Sequence, residues 1–301
     1  MRLKTVTRTQ GNNAALKDGT VTPEGFTFGF EEVDPLIRAF RRMVRGLEYD
    51  VCEMAITTYL CAKEHGVRFT ALPVFLVRGF HHGAILAQAG VEPKDLEGRR
   101  VGVNRGYTVT TGVWARGVLA DEHGVDLDQV TWVLSGDEHV AEYVPPPNVV
   151  PVEEGQDLGA LLAAGELAAA IGIEVDGVGP LIPDAAEAGY RALRERGHYP
   201  INHLVVVKDE LLEVHPELAG AVFAAFEAAK DLYVERLRSG AIESPTAADR
   251  MHARVLELTG RDPLPYGVEP NRATIEELID HALAQKILRR RPDVDSLFAA
   301  V

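Results

Sequence analysis

The sequence lacks the cysteines, the long apolar run and the apolar leader that would assign it to several large classes of protein. Its only two cysteines, Cys52 and Cys61, do not indicate a disulfide framework, and we expect both to be small buried side chains. No run reaches the about 18 apolar residues that indicate a transmembrane helix. The first residues, MRLKTVTRTQ, contain no apolar signal region, so we expect a cytoplasmic protein.

The sequence is also poor in positive charge. Lys and Arg number 31 against 45 Asp and Glu, which gives a net charge of −14. Nucleic acids and anionic membranes attract cationic surfaces, so we expect neither as a partner. A small anionic ligand is compatible with this charge, because a local group of Arg and His can oppose it. The sequence leaves the oligomeric state open, a homo-oligomer included.

Several catalytic and metal-binding motifs are missing. Without a Gly-x-Ser-x-Gly or a Walker motif, neither nucleophilic acyl transfer nor nucleotide hydrolysis is indicated. No HxH, HExxH or CxxC spacing occurs, so we expect no metal. Four side chains could still ligate a metal together, namely Glu53, His81, His82 and His203.

Strand and helix patterns alternate along most of the chain. Strands are predicted at Leu3–Thr9, Tyr49–Ala55, Phe69–Val77, Val101–Val103, Val130–Leu134, Leu167–Ile173 and Leu204–Val207. Helices between them favour an α/β fold with parallel sheets. From Asp209 onward the pattern is helical, with an apolar stripe at Leu218, Val222, Phe226 and Ala229.

This pattern predicts a two-lobed α/β protein with a ligand cleft between the lobes and a helical C-terminal tail. We expect lobe one to comprise residues 1–90 and 202–301, and lobe two residues 91–201.

Polar residues interrupt the most apolar part of the chain. Arg78, His81 and His82 follow the predicted strand Phe69–Val77, and apolar residues resume at Ala84. A cation and two imidazoles between buried strands are costly unless they face a ligand or a partner. In a purely structural alternative, Arg78 pairs with a carboxylate and the histidines cap strand ends.

Three further places could carry chemistry. Glu53 lies within a predicted strand, and a buried carboxylate there needs a cation or hydrogen bonds, with Arg78 or a histidine as a natural partner. Thr110 or Thr111 could cap a helix whose free N–H groups suit a carboxylate, although plain capping is the structural alternative. Asn202 and His203 stand before a predicted strand, where the chain is expected to return to lobe one.

Six segments together resemble the 4,5-dihydroxyphthalate decarboxylase-like family. They are Glu53–Leu60 (EMAITTYL), Ala71–Leu76 continuing into Arg78–His82, Leu96–Val103, Val113–Gly117, Tyr199–His203 and Pro265–Asn271. The family carries F-R-H-x at the second segment, so His82 matches its histidine and His81 replaces an arginine.

The resemblance implies the fold of type 2 periplasmic solute-binding proteins, in which two α/β lobes are joined by two crossings. It implies a cofactor-independent decarboxylase of a hydroxylated aromatic dicarboxylate such as 4,5-dihydroxyphthalate. One alternative is a solute-binding protein of an ABC-type transporter, which holds a small anionic ligand without chemistry. A dehydratase or a cofactor-biosynthesis enzyme on the same fold is a third class.

The decarboxylase hypothesis gives each candidate residue a role. Arg78, with the helix start at Thr110 and Thr111, would hold a carboxylate. His82 would donate the proton, and His203 or Glu53 would polarise the phenolic oxygen. The remaining residues expected to bind substrate are His81, Thr57, Thr58, Tyr107 and Asn202.

Overall fold

A computed structural model describes residues 1–301 and contains two β-sheets with helices between their strands. The strands are β1 (Arg2–Val6), β2 (Thr27–Phe30), β3 (Val51–Ala55), β4 (Phe69–Arg78), β5 (Ile85–Ala87), β6 (Arg100–Val103), β7 (Thr131–Leu134), β8 (Val149–Pro151), β9 (Ala169–Ile171), β10 (Gly179–Pro180) and β11 (Ile201–Lys208). The α-helices are α1 (Ala14–Lys17), α2 (Ile37–Gly46), α3 (Ile56–Glu64), α4 (Thr110–His123), α5 (Leu158–Ala163), α6 (Ala185–Arg196), α7 (Asp209–Val214), α8 (Leu218–Arg238), α9 (Ala247–Thr259) and α10 (Arg272–Ala284). None of them combines the length and the apolar character that a membrane span requires.

The first compact unit comprises residues 1–79, 201–275 and 292–301. Its five strands lie in the order β2-β1-β3-β11-β4. Strand β1 pairs in parallel with β2 and β3, whereas β11 runs antiparallel to both β3 and β4. The sheet is therefore mixed, and the expectation of purely parallel sheets is wrong here because β11 enters the sheet in the opposite direction.

The core of the first unit follows the apolar patterns of the sequence. All five residues of β3 are buried, as are most residues of β4. The predicted stripe on α8 is confirmed, since Leu218, Val222, Phe226 and Ala229 are all buried. The helix begins at Leu218, and α7 precedes it as a separate short helix.

The second compact unit comprises residues 80–200 and 276–291. Its sheet has the order β10-β5-β9-β6-β7-β8, with β6 to β8 and β9 parallel and β5 antiparallel to β9. Leu158, Leu161 and Leu162 of α5 pack with Val133 and Leu167 in its core.

The observed units differ from the expected lobe boundaries in two segments. Residues 80–90 cluster with the second unit, because β5 pairs with β9 in the second sheet. Residues 276–291, which include most of α10, also cluster with the second unit. The helical C-terminal tail is thus divided between the two units.

Two local expectations about the candidate residues are corrected. Helix α4 begins at Thr110 with Val109 as its N-cap residue, so Thr110 and Thr111 lie in the first turn and neither caps the helix. Asn202 and His203 lie inside β11 rather than before it, because the ladder with β3 and β4 extends to the polar start of the segment.

Candidate active site

A carboxylate and an imidazole form the central pair of the first unit. Glu53 is fully buried in β3, and His203 is the third residue of the neighbouring strand β11. Oε1 of Glu53 lies 2.6 Å from Nδ1 of His203, and the His203 side chain keeps 14% of its surface exposed. The expectation that a histidine partners Glu53 is confirmed. Since the carboxylate accepts the Nδ1 hydrogen, Nε2 of His203 is left to exchange protons.

Arg8, which the sequence analysis missed, completes the surroundings of Glu53. Its backbone N–H donates to Oε2 of Glu53 at 2.9 Å, and its Nε lies 3.5 Å from Oε1. The Arg8 side chain is about half exposed, at 47%. The residue just follows the end of β1, so only the pairing of β1 with β3 brings it to Glu53. No short motif marks it in the sequence.

Arg78 is the last residue of β4 and is buried in the first unit. Its Nη2 donates a short hydrogen bond to Oδ1 of Asn271. The amide nitrogen of Asn271 donates in turn to the carbonyl oxygens of Pro265 at 2.9 Å and Gly267 at 2.8 Å. This loop therefore holds the amide that orients the guanidinium, a role that the segment match at Pro265–Asn271 did not assign.

The other predicted binding residues of the first unit differ in exposure. Thr57 and Thr58 lie in the first turn of α3 and are fully or almost fully buried. Asn202 in β11 is half-buried. Thr57 and Thr58 thus lie on the helix that directly follows the strand of Glu53, and Asn202 precedes His203 in β11.

His82 belongs to the second unit and pairs with a carboxylate of its own. The fully buried imidazole places Nε2 3.0 Å and 3.1 Å from the two carboxylate oxygens of Glu122. Arg196 makes a short hydrogen bond to the same carboxylate. Burial raises the pKa of Glu122, but the contacts with His82 and Arg196 outweigh it and lower that pKa to about 2. Nδ1 of His82 has no hydrogen-bond partner.

His81 packs against an aromatic ring. Its imidazole stacks on Trp114 at a centroid distance of 6.4 Å and an interplanar angle of 18°. Burial lowers the pKa of His81 to about 3, and the nearby His198 and His82 act in the same direction. The side chain is therefore neutral at neutral pH, so it supplies no positive charge to an anion there.

The loop before α4 already holds a carboxylate from this chain. The backbone N–H of Tyr107 and that of Thr108, the latter at 3.2 Å, donate to Glu138, and Oγ1 of Thr108 donates at 2.6 Å. Gly106 allows this approach, because a Cβ there would lie 2.6 Å from Oε2 of Glu138. The anion-binding property predicted for this region is present, but Glu138 uses the amides on the N-terminal side of Thr110.

Tyr107 itself packs on a buried cation. The guanidinium of Arg116 lies 3.8 Å from the centroid of the Tyr107 ring and donates to the Tyr107 carbonyl at 2.6 Å. Nε of Arg116 donates to Gln285 at 2.8 Å. Tyr107 is only 2% exposed. These contacts give it a structural role, and its predicted contact with substrate stays a prediction.

The metal hypothesis names four residues, of which two belong to each compact unit. Glu53 and His203 belong to the first unit, whereas His81 and His82 belong to the second. A different set, Asp121, Glu277 and His281, has ligand atoms within 4.8 Å of one another. Oε1 of Glu277 already contacts Nδ1 of His198 at 2.8 Å and Arg196 at 3.2 Å.

Comparison with curated proteins finds relatives that share a single name. A 4,5-dihydroxyphthalate decarboxylase of Comamonas testosteroni is 30% identical over 305 residues, which cover 94% of this chain and 92% of the relative. A protein of the same name from Pseudomonas putida is 36% identical over 168 residues, covering 52% of this chain and 64% of the relative. No family model matches the sequence.

Comparison with solved structures identifies the fold. The alkanesulfonate-binding protein of Xanthomonas axonopodis pv. citri, bound to MOPS, superposes with a TM-score of 0.56 at 18% identity, covering 99% of this chain and 97% of the other. A desulfurization enzyme in complex with biphenyl-2-sulfinic acid superposes with a TM-score of 0.58 at 15% identity, covering 99% and 96%. A Candida albicans protein described as having the generic periplasmic binding protein fold reaches 0.57 at 13% identity, covering 98% and 93%. The predicted type 2 periplasmic-binding-protein-like fold is confirmed.

Proposed function

Since the chain belongs to the 4,5-dihydroxyphthalate decarboxylase family, we propose that it is a cofactor-independent decarboxylase of a hydroxylated aromatic dicarboxylate such as 4,5-dihydroxyphthalate. The single observation that carries the proposal is the Glu53–His203 pair, in which a fully buried carboxylate holds an imidazole that keeps some exposure. Such a pair is suited to general acid–base catalysis.

The reaction needs one proton for each CO₂ released. A hydroxyl group para to the carboxylate supplies electron density to the ring carbon that carries the carboxylate. Protonation of that carbon breaks the aromaticity, and loss of CO₂ returns the C–C bond electrons to the ring. The products are CO₂ and the arene with hydrogen in place of the carboxylate, so no oxidant or reductant is consumed.

The pair supplies the proton transfer. His203 in its protonated form donates from Nε2 to the ring carbon, and Glu53 stabilises the imidazolium that precedes the transfer. Water then returns a proton to Nε2. The Glu53 carboxylate keeps Nδ1 protonated throughout, which fixes the tautomer and the ring orientation.

Arg78 is proposed to hold the carboxylate that is retained. A guanidinium can bind a carboxylate through two parallel hydrogen bonds, and the Arg78–Asn271 contact fixes the plane of that fork. The helix start at Thr110 and Thr111 is not part of this proposal, because Glu138 occupies the adjoining amides.

His82 stays the alternative proton donor. Its imidazole is fully buried and its Nε2 is held by Glu122, whereas His203 retains 14% exposure. This difference in exposure favours His203. His82→Asn and His203→Asn distinguish the two hypotheses. Only the variant that removes the proton donor should lower turnover while it keeps its affinity for the ligand.

The test is incubation of the purified protein with 4,5-dihydroxyphthalate and related aromatic acids while the released CO₂ is trapped. Stoichiometric CO₂ and the monocarboxylate product are expected, and both should decrease in His203→Asn. Release of no CO₂ from any of these acids would contradict the proposal.

The alternative is a solute-binding protein without chemistry. The alkanesulfonate-binding protein shows that this fold can hold a small anion without chemistry. Tight binding of a small anion without any CO₂ release would support this alternative. The enzyme is expected in the cytoplasm and a transporter's receptor outside it, so cell fractionation with an antibody to this chain provides a second criterion.

A further inference from the structure

A cavity of about 190 Å³ lies within the first unit, against the loop that follows β1. Arg8 and Gln10 of that loop line one part of it, and Tyr233 of α8 with Asp249 and His252 of α9 lines another. No feature of the sequence singled out the last three residues. They belong to the helical tail, far along the chain from Glu53.

Tyr233 joins the other two side chains in a hydrogen-bonded series. Its hydroxyl lies 2.7 Å from Oδ1 of Asp249 and 2.8 Å from Nδ1 of His252. The second oxygen of Asp249 accepts from the backbone N–H and the hydroxyl of Thr246, each at 2.8 Å. Burial raises the pKa of Asp249, but these hydrogen bonds outweigh it and the net pKa is lowered, so Asp249 is an ionised acceptor at neutral pH.

The direction of the hydrogen bonds follows from this charge. An ionised carboxylate only accepts, so the Tyr233 hydroxyl donates to Asp249. Nδ1 of His252 must then carry the hydrogen that points to the Tyr233 oxygen. The neutral tautomer with hydrogen on Nδ1 leaves Nε2 of His252 as a bare acceptor.

That acceptor has no partner within the protein. His252 is 6% exposed, and its one hydrogen bond is the one to Tyr233. Burial lowers the pKa of His252 to about 4, against the opposing charge of Asp249, so the imidazole stays neutral at neutral pH. Nε2 is therefore open to a hydrogen bond from a ligand or water in the cavity.

Donors line the same cavity. Nε2 of Gln10 is buried and has no hydrogen-bond partner, and the Arg8 side chain is half exposed. One cavity thus offers an acceptor, a neutral donor and a cation. This set matches a hydroxyl group that donates one hydrogen bond and accepts another, on a molecule that carries negative charge.

We propose that this cavity is a binding subsite for the hydroxylated edge of an aromatic acid, in which Nε2 of His252 accepts the hydrogen of a ring hydroxyl while Gln10 and Arg8 donate to its oxygen. The choice of an aromatic ligand rests on the proposed function; the choice of a hydroxyl group rests on the cavity alone. Arg8 connects the two sites, because its backbone N–H binds Glu53. A hydroxyl that donates a hydrogen bond to His252 becomes a stronger electron donor to the ring, which is what decarboxylation requires.

The test compares 3,4-dihydroxybenzoate with benzoate as calorimetric ligands. The parent protein should bind the dihydroxy acid more tightly, by about 3- to 10-fold for each hydrogen bond that hydroxyl makes. In His252→Asn the amide can still donate to Tyr233, but no atom replaces Nε2. The ratio of the affinities for 3,4-dihydroxybenzoate and benzoate should therefore fall toward 1. His252→Gln, which returns a polar atom to the Nε2 position, should recover part of the preference. Gln10→Glu should weaken both ligands, because it replaces a donor with a negative charge.

The control is His215→Asn, which changes a half-exposed histidine paired with Glu217 on the same unit. It should leave the preference unchanged. A second measurement uses the unsubstituted protein: the ¹⁵N shift of His252 Nε2 should move on addition of 3,4-dihydroxybenzoate and stay in place with benzoate. An unmoved Nε2 resonance, equal affinity for the two ligands, or no binding of either overturns the subsite.

The CO₂ assay separates this inference from the proposed function. A hydroxyl preference that depends on His252 in a protein that releases no CO₂ leaves the subsite standing and removes the decarboxylase. If the protein releases CO₂ fully but its preference for the dihydroxy acid is unchanged in His252→Asn, the decarboxylase stands and the subsite is removed.

Discussion

Oε1 of Glu53 lies 2.6 Å from Nδ1 of His203. The two residues belong to neighbouring antiparallel strands that are far apart in the sequence. The pairing register sets this contact, since His203 is opposite Ala55 and Val205 is opposite Glu53. Residues two apart on one strand lie on the same face of the sheet, so both side chains project to the same side. A carboxylate that is fully buried is held there by the imidazole and by Arg8.

Glu53→Gln should lower turnover of 4,5-dihydroxyphthalate by about 10²- to 10⁴-fold, the usual worth of general acid–base catalysis. The amide keeps the shape of the carboxylate but cannot stabilise a protonated His203. Affinity for the substrate should change much less than kcat. Glu48→Gln, at an exposed glutamate of the same unit, is the matched control. An unchanged kcat in the Glu53 variant would remove the pair from the mechanism.

Arg78→Lys should weaken binding of phthalate by about tenfold or more, because lysine cannot form the planar fork of a guanidinium. Calorimetric titration with phthalate measures the loss without interference from turnover. Arg68→Lys offers the control, since Arg68 pairs with Glu213 on an exposed surface of the same unit. Equal affinities in parent and Arg78→Lys would place the carboxylate elsewhere.

Glu122→Gln should change stability in a defined acid range. The contacts with His82 and Arg196 hold the pKa of Glu122 at about 2, against 4.5 for the free group. The unfolded state therefore takes up the proton first as the pH falls. The stability that Glu122 contributes should be present above pH 4.5 and disappear between pH 4.5 and pH 2.

Urea unfolding across that range checks this expectation. The difference in the free energy of unfolding between parent and Glu122→Gln should shrink as the pH falls. Glu154→Gln, at an exposed glutamate of the same unit, should show no such trend. A difference that stays constant from pH 6 to about 2 would show that the Glu122 carboxylate is not specially stabilised in the fold.

His81→Phe should make the fold less sensitive to mild acid. Burial lowers the pKa of His81 from 6.5 to about 3, so the unfolded chain binds a proton that the folded protein excludes. The parent should lose this part of its stability as the pH falls from 6.5 to about 3. Phenylalanine keeps a ring stacked on Trp114 and takes up no proton.

Thermal unfolding at pH 7 and at pH 5 measures the effect of His81→Phe. The fall in melting temperature between the two pH values should be smaller in the variant than in the parent. His215→Phe, at a half-exposed histidine, should leave the fall unchanged. Identical falls in parent and His81→Phe would mean that His81 can become protonated within the fold.

Glu138→Ala should destabilise the protein by about 1.5–3 kcal/mol, the usual worth of a hydrogen bond to a charged group. It leaves the amides of Tyr107 and Thr108 and the Thr108 hydroxyl without their carboxylate. Chemical unfolding measures the loss, with Glu142→Ala at an exposed glutamate nearby as the control. Equal stability in the two variants would show that the loop does not depend on this anion.

The order of strands and helices could be predicted to a large extent from the sequence. Strand β4 and the buried stripe of α8 follow directly from runs of apolar residues and from apolar residues spaced by one helical turn. The antiparallel direction of β11 and the place of β5 in the second sheet could not be predicted in this way. Pairing partners depend on where the chain returns in space, and a strand's own residues carry little information about that.

Two charged residues require an explanation from their sequence context alone: Glu53 lies inside an apolar strand, and Arg78 ends another. Because burial of a charge is always costly, a charged residue in an apolar segment can be recognised as unusual from the sequence. Their partners depend on tertiary packing. Glu53 pairs with His203 and Arg8, Arg78 pairs with Asn271, and the amides before α4 bind Glu138. The hydrogen-bonded series of Asp249, Tyr233 and His252 could not be predicted from the sequence either. Hydrogen bonds between residues distant in the chain form only where packing brings their atoms within about 3 Å.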